Sequence, residues 1–227
     1  MQIVIVNCHK CGTKNRLKER VGSGAYRCGK GKCSNEIPSP FLYVVVDCET
    51  TGLPSQRSNP FLVQLAWSVH DPSGVAVEEH CCIVKPDGYE IPRASTNVHG
   101  ISHQLASLWG LDLKQVLSDF AVALGKPNVR LIAHNLDFDT RVLGAEFTRL
   151  GIESPLSALP TYCTMQSTVD LCNLPNRGSG YKWPSLQELH LHLFGKGFPD
   201  GHTALNDVRA AARCFFRLGA KDFVSFD

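Results

Sequence analysis

The stretch FLYVVVDCETTGL, residues 41–53, decides the fold. Phe41 to Val46 is an unbroken apolar and β-branched run, the pattern of a strand buried on both faces, and it stops abruptly at Asp47-Cys48-Glu49. Residues i and i+2 of a strand point to the same side, so Asp47 and Glu49 project together. Two carboxylates side by side at the end of a buried strand repel each other unless something positive lies between them. Hard cations such as Mg²⁺ or Mn²⁺, which take carboxylate and water oxygens, meet that need. Paired acids at strand ends also occur as solvated loop starters, so the pair gains meaning only from partners elsewhere in the chain.

Two such partners lie downstream. Val129 to Ala133 (VRLIA) reads as a second short buried strand, and His134-Asn135 leads into a helix with apolar positions at Phe138, Val142, Ala145 and Leu150. Asp139 falls in the first turn of that helix, where the helix N-terminus favours the ionised carboxylate. Asp137 points elsewhere on the helix and reads as a cap or surface acid. After the turn Phe198-Pro199-Asp200-Gly201, a helix from about Thr203 to Leu218 carries Ala204, Val208, Ala211 and Phe215 on one stripe. Asp207 lies next to that stripe among Ala204, Ala210, Ala211 and Cys214, small residues that let the helix approach a sheet closely. His202 stands just before this helix, in a turn.

The segments VVVDCETTGL (44–53), AHNLDFD (133–139) and HTALND (202–207) resemble the three motifs of the DEDDh family, the DnaQ-like 3′→5′ exonucleases of the ribonuclease-H-like superfamily. The likeness spans roughly Phe41 to Leu218 and fills every catalytic position: Asp47, Glu49, Asp139, His202 and Asp207. The tyrosine subfamily would place Tyr four residues before the last acid, where this chain has Thr203; the histidine of the DEDDh branch falls on His202. The resemblance implies two Mg²⁺ or Mn²⁺ ions held by Asp47, Glu49, Asp139 and Asp207, with Asp47 bridging both. It implies His202 as general base, a role suited to an unperturbed pKa of about 6.5. It further implies release of nucleoside 5′-monophosphates from a nucleic acid with a free 3′ end, single-stranded or frayed. DNA is placed ahead of RNA; an RNA-trimming exoribonuclease of the same family and a catalytically silent nucleic-acid-binding adaptor are the alternatives. Absence of a long segment after the last helix suggests a free-standing trimming or repair enzyme.

Substrate contacts are expected from the same likeness. Thr50, Thr51, Gly52 and Leu53, with His99 of His99-Gly100-Ile101, correspond to the segments that hold the 3′-terminal nucleotide. Asn135 and Phe138 match positions supporting the sugar and base, although Phe138 reads equally well as core. The loop Asn176 to Gly180 runs into Tyr181-Lys182-Trp183-Pro184, and its aromatics beside Arg177 and Lys182 suit single-stranded nucleic acid. Trp183 reads equally as an anchor for the following helix.

Upstream lies a unit of different composition. Cys8-x2-Cys11 and Cys28-x4-Cys33 form a pair of knuckles with spacing close to that of zinc ribbons, each in glycine-containing sequence. Four thiolates favour one structural Zn²⁺; His9 in place of one cysteine, a redox dithiol and a disulfide pair are lesser alternatives. Val21, Ala25 and Tyr26 in the long gap are too few for a core, so metal would supply the folding energy. Residues 1–36 hold Lys10, Lys14, Arg16, Lys18, Arg20, Arg27, Lys30 and Lys32 against Glu19 and Glu36, a balance of +6 that leaves −4 for the rest of a chain of net charge +2. A four-thiolate zinc centre carries about −2, so the module stays basic. That suits an arm gripping polyanionic substrate beside an acidic active site, or a protein-binding ribbon.

A chain of 227 residues with 43% hydrophobic content accommodates one good-sized core and a small satellite. The expected organisation is a zinc-ribbon-like module at 1–36, a proline-stiffened linker at 37–40 and an exonuclease domain at 41–227. No stretch approaches a membrane span or a signal peptide, and six further cysteines lie mostly in apolar runs as free thiols, which suits a reducing cytoplasmic setting. Strands are expected near 41–48, 61–70, 75–84, 129–134 and 160–164, with helices near 112–124, 137–150, 185–193 and 203–219. This series indicates an α/β fold with a mixed sheet. The resemblance adds the ribonuclease-H-like strand order with helices on both faces.

Overall fold

A computed structural model describes residues 3–22, 25–56, 58–199 and 203–219. The chain opens with two small antiparallel hairpins, β1 (Ile3–Asn7) with β2 (Lys14–Lys18) and β3 (Ala25–Arg27) with β4 (Glu36–Pro38). Ile37 and Pro38, which composition assigns to the linker, pair with Tyr26 and Ala25 in the second hairpin. Then come β5 (Leu42–Thr50), β6 (Leu62–His70) and β7 (Ala76–Ile83), an antiparallel meander. Two short helices follow, α1 (Arg93–His99) and α2 (His103–Trp109), before α3 (Leu113–Leu124). A parallel pair, β8 (Val129–Ala133) and β9 (Thr161–Cys163), flanks α4 (Leu136–Arg149), and α5 (Val169–Cys172), α6 (Leu186–Phe194) and α7 (Ala204–Gly219) finish the series.

The larger sheet has the order β7-β6-β5-β8-β9, with β5 antiparallel to β6 and parallel to β8. This is the ribonuclease-H-like mixed sheet. Alternation along the central strand β5 divides the core in two. Val44, Val46 and Cys48 pack with α3 and α4 against one face, through Leu117, Phe120, Val142 and Phe147. Phe41, Tyr43 and Val45 pack on the other face with Ala204, Val208, Ala211 and Phe215 of α7. Edge strand β7 is mostly exposed, and its Glu78 and Glu79 pair with Lys126 and Arg209. No helix among the described residues is long and apolar enough to cross a membrane.

Helices α1 and α2 were not expected, because neither is long enough to display an amphipathic period. Local signals set their limits: Gly100 ends α1 in the left-handed region at φ 76°, and the Ser102 side chain caps α2 by accepting from Leu105 N.

The N-terminal module is seated on the larger sheet through a buried ion pair. Arg130 Nη2 lies 2.7 Å from Glu19 Oε2, with the side chains only 2% and 4% exposed. Nε of Arg130 donates to the same oxygen, and its guanidinium lies 5.4 Å from the centre of the Phe41 ring. Val4 and Val21 pack against the α7-side core, and Gly22 N donates to Pro72 O at 2.7 Å. Gly219, the last residue of α7, lies so close to Val21 that a Cβ there would clash with it at 2.2 Å.

This seating corrects the expectation of an arm beside the acids. Arg130 is in register with Tyr43 near the start of β5, whereas Asp47 and Glu49 lie towards its end. At about 3.3 Å per residue, Tyr43 and Glu49 are about 20 Å apart. Val21 likewise meets the C-terminal end of α7, while Asp207 sits in its first turn. The module therefore attaches at the end of the sheet opposite the acids.

Removing one partner of a buried ion pair leaves an uncompensated charge and costs about 3–5 kcal/mol. Glu19→Ala is expected to lose stability on that scale in chemical unfolding, and adding Arg130→Met is expected to recover most of it. A single-variant loss below about 1 kcal/mol, the range of a surface pair, would count against this role.

Candidate active site

The acids meet where three elements end. Asp47 and Glu49 continue the Tyr43 and Val45 parity of β5, which turns them to the face covered by α7. Asp207 is in the first turn of α7. Carboxylate oxygens of Asp47, Glu49 and Asp207 all lie within 4.8 Å of one another. Helix α7 can come this close because Ala204, Ala210, Ala211 and Ala212 bring no bulk to its buried sides. Its first residue is tied to the sheet by Ala204 N, which donates to Gln64 Oε1 at 3.3 Å, and Gln64 is the cross-strand partner of Glu49. Gln64 escaped the sequence reading because a glutamine in an apolar strand carries no sign of its partner.

Asp139 approaches from the other layer, in the first turn of α4 as expected, and is 2% exposed. Its Oδ1 is buried without a hydrogen-bond partner. Asn135 starts α4 in the left-handed region at φ 76°, a conformation asparagine tolerates better than most residues. Asp137 is exposed and accepts from Gln166 Nε2 at 2.8 Å, which agrees with its reading as a surface acid.

Burial and mutual repulsion raise the pKa of every member resolved. Asp47 is pushed well above the carboxylate range by burial, then by Asp139, Asp207 and Glu49. Glu49 rises to about 7 through burial and Asp207. Asp139 rises to about 8, chiefly through burial, although the thiol and backbone N–H of Cys48 pull it down in part. An orphaned buried oxygen among converging carboxylates is a donor set suited to hard divalent cations.

The expected substrate residues ring this cluster in part. Thr50 is buried, with Oγ1 donating to Gly52 O at 2.6 Å, and Thr51 exchanges bonds with the backbone of Phe61. Leu53 is 83% exposed. His99 ends α1 in a buried position, its Nδ1 accepting from Ile101 N at 3.1 Å and its ring facing the Thr50 backbone; burial lowers its pKa and keeps it neutral. Phe138 is half-buried against the α4-side core. His202 lies outside the described residues, as do Asp200 and Gly201.

His134 went unassigned in the sequence. Its Nδ1 meets Thr164 Oγ1 and its Nε2 meets Pro184 O, both at 3.0 Å, and burial depresses its pKa to about 4. A neutral ring thus staples the 176–184 loop to the strand end that precedes Asp139. Trp183 in that loop is 62% exposed and Tyr181 47%, so Trp183 does not serve as a buried anchor for α6. Lys182 is engaged by Glu188 at 2.5 Å.

The four cysteines converge in the N-terminal module. Cys8 and Cys33 sulfurs are 3.8 Å apart, Cys11 and Cys28 sulfurs 3.6 Å, and all four lie within 4.8 Å. A tetrahedral zinc with Zn–S of about 2.3 Å requires sulfur separations of about 3.8 Å. Asn15 locks the two knuckles together, its Oδ1 accepting from Gly29 N at 2.7 Å and its Nδ2 donating to Thr13 O at 2.8 Å. Hydrogen bonds from Thr13 draw the Cys11 thiol down to about 6, towards the thiolate a metal needs. All ten cysteines are free of disulfides. Leu17, Tyr26 and Ile37 are the small apolar core beside them.

The exonuclease family model RNase_T matches residues 44–215, which contain the four acids, the loops between them and His202. A DNA polymerase III subunit epsilon-like protein from Rhodobacter capsulatus is 29% identical over 180 residues, covering 78% of this chain but 23% of its own length. Exonuclease I of E. coli, solved with a dA16 oligonucleotide, superposes with a TM-score of 0.66 at 18% identity, over 79% of this chain and 41% of that one. Exonuclease I from Methylocaldum szegediense gives 0.65 at 20% identity, over 80% and 41%. The chain thus spans less than a quarter of the Rhodobacter relative and about two fifths of the exonuclease I chains, whose likeness at this identity concerns the fold. With most of its length matched by one family model, this chain belongs to the RNase_T exonuclease family.

Proposed function

We propose that this chain is a metal-dependent 3′→5′ exonuclease that removes nucleoside 5′-monophosphates from single-stranded or frayed DNA. The observation that carries this is the convergence of Asp47, Glu49 and Asp207 oxygens within 4.8 Å, together with the buried Asp139, whose Oδ1 has no hydrogen-bond partner. Such mutual repulsion has no structural benefit, and a fold retains it where cations are to be held. Asp47, Glu49, Asp139 and Asp207 would hold two Mg²⁺ or Mn²⁺ ions. When bound, the ions supply a nucleophile at neutral pH and offset charge on the attacking and leaving oxygens.

The chain's own groups do the rest. His202, at the family's histidine position, takes the proton from the attacking water. Thr50 to Leu53 form the platform for the terminal nucleotide, where exposed Leu53 offers an apolar surface to its base. Neutral His99 supports the Thr50 backbone from behind, and Asn135 and Phe138 flank the sugar. DNA is favoured because the exonuclease I neighbours are solved with single-stranded DNA oligonucleotides. The Cys8, Cys11, Cys28 and Cys33 site holds one structural zinc.

Incubation with 5′-labelled single-stranded DNA, duplex DNA and RNA is expected to give Mg²⁺- or Mn²⁺-dependent 3′ shortening, fastest on single-stranded DNA. Asp47→Asn should reduce it by about a thousandfold or more, since it removes one of the carboxylates that would hold the ions. Binding of all three without shortening would identify a silent adaptor, and preferential shortening of RNA an exoribonuclease.

The raised carboxylates also set a pH dependence. Asp139 near 8 in the folded state, against about 4 unfolded, means the native protein binds more protons between these values, so stability falls as pH rises through that window. Asp139→Asn removes the charge. Without added Mg²⁺, its stability advantage over the parent should grow by on the order of 3 kcal/mol from about pH 5 to about pH 8. Mg²⁺ should narrow the gap by stabilising the parent; a gap independent of pH would refute the buried-charge account.

Metal analysis should return about one zinc per chain, lost in Cys11→Ser/Cys28→Ser. Full occupancy by zinc in that double variant would remove the thiolates from the site.

A further inference from the structure

The N-terminal module presents a basic face that the catalytic site does not use. In the β1–β2 hairpin, Ile3 pairs with Lys18, Ile5 with Arg16 and Asn7 with Lys14, and all six side chains are exposed on one face. Among the described residues none of Lys14, Arg16 and Lys18 forms an ion pair. Of the two acids in residues 1–36, Glu19 is buried against Arg130, so Glu36 is the one carboxylate the module shows to solvent. The three cations recur every second residue, about 6.6 Å apart along β2. That repeat is close to the phosphate repeat of an extended single strand.

A cleft lies beside the module on the α7 side of the sheet. Alongside α7 runs a cleft of about 570 Å³ lined by His70, Gly74, Phe194, Arg213, Phe216 and Arg217. Among the described residues, neither Arg213 nor Arg217 pairs with a carboxylate. Pro72, in the β6–β7 turn beside the cleft, accepts from Gly22 N of the module. Two guanidinium groups without a carboxylate partner therefore line this cleft, Arg213 donating to His190 Nε2 at 3.4 Å, while its Glu79 is taken by Arg209.

We propose that the Lys14, Arg16 and Lys18 face is a second nucleic-acid site, which holds the backbone of a single strand upstream of the 3′ end lodged at the acids. This deepens the exonuclease reading and rests on it. The strand is favoured over a protein partner because the face is nearly free of acids and its cations are spaced in a single row. Separation from the acids makes the contribution depend on length. At about 6.6 Å per nucleotide of an extended strand, about 20 Å along the sheet requires at least about three nucleotides.

The test is equilibrium binding of the full, zinc-loaded chain to fluorescent single strands protected by 3′ phosphorothioate linkages. A strand of about two nucleotides is too short to reach the module, and one of about thirty passes it. Lys14→Gln/Arg16→Gln/Lys18→Gln should weaken the long strand by about tenfold or more at low salt and flatten its log–log salt slope by about 2, from about 0.7 per phosphate. Short-strand affinity, short-strand trimming and zinc content should be unchanged. Lys14→Arg/Lys18→Arg, which keeps the charges, should retain long-strand affinity. Unchanged long-strand affinity and salt slope in the triple glutamine variant would overturn the proposal and leave the face to a protein partner. This outcome is separate from failure of the exonuclease reading, which would appear as absence of trimming whatever the binding.

Discussion

Strand β5 is covered on both sides, and its two-residue alternation assigns each side chain to one of two layers. Even-numbered Val44, Val46 and Cys48 go to α3 and α4, and odd-numbered Tyr43 and Val45 go to α7. The odd series cannot stop being odd at Asp47 and Glu49, so the same parity that builds the α7 core delivers two carboxylates to the rim of that layer. A one-residue slip would bury both acids under α3 and α4 and carry Val46 and Cys48 to the cluster. Hydrophobic burial along the strand thus enforces a charge arrangement that electrostatics alone would disperse.

The other two acids arrive by helix starts, and each start has its own tether. Gln64 holds the first residue of α7 to β6 opposite Glu49, and a run of alanines allows the helix to lie close. Asn135 turns the chain from β8 into α4, while neutral His134 fixes the neighbouring loop through Thr164 and Pro184. These tethers are uncharged. Positive side chains at the same places would neutralise the cluster permanently and leave no electrostatic demand for a dissociable cation.

Much of this was legible in the sequence where the signal is local. The β5 run, the VRLIA strand, the alanine-rich last helix and the cysteine knuckles each declare themselves within about ten residues, the reach of periodicity and ligand spacing. What stayed hidden depends on distant partners. Arg130 sat unremarked inside a strand read as apolar, because the Glu19 that neutralises it is 111 residues away. The position of the module follows from that pair, and the sequence pattern, which suits a basic arm beside the acids or a protein-binding ribbon, carries no sign of it. Composition gives the charge of a module but contains nothing about where it docks.

The docking arrangement carries a physical consequence. A basic unit placed directly beside four carboxylates would compete with divalent cations for them, since a lysine ammonium within about 4–6 Å stabilises a carboxylate much as a metal does. At about 20 Å, two Debye lengths at about 0.1 M salt, the two charge systems are largely screened from each other, yet a polyanion long enough can touch both. Rigid seating through a buried ion pair preserves that separation better than a flexible linker would, because a tethered basic module would fold back onto the acids. Opposite charges held apart on one frame allow cation binding and polyanion binding to coexist.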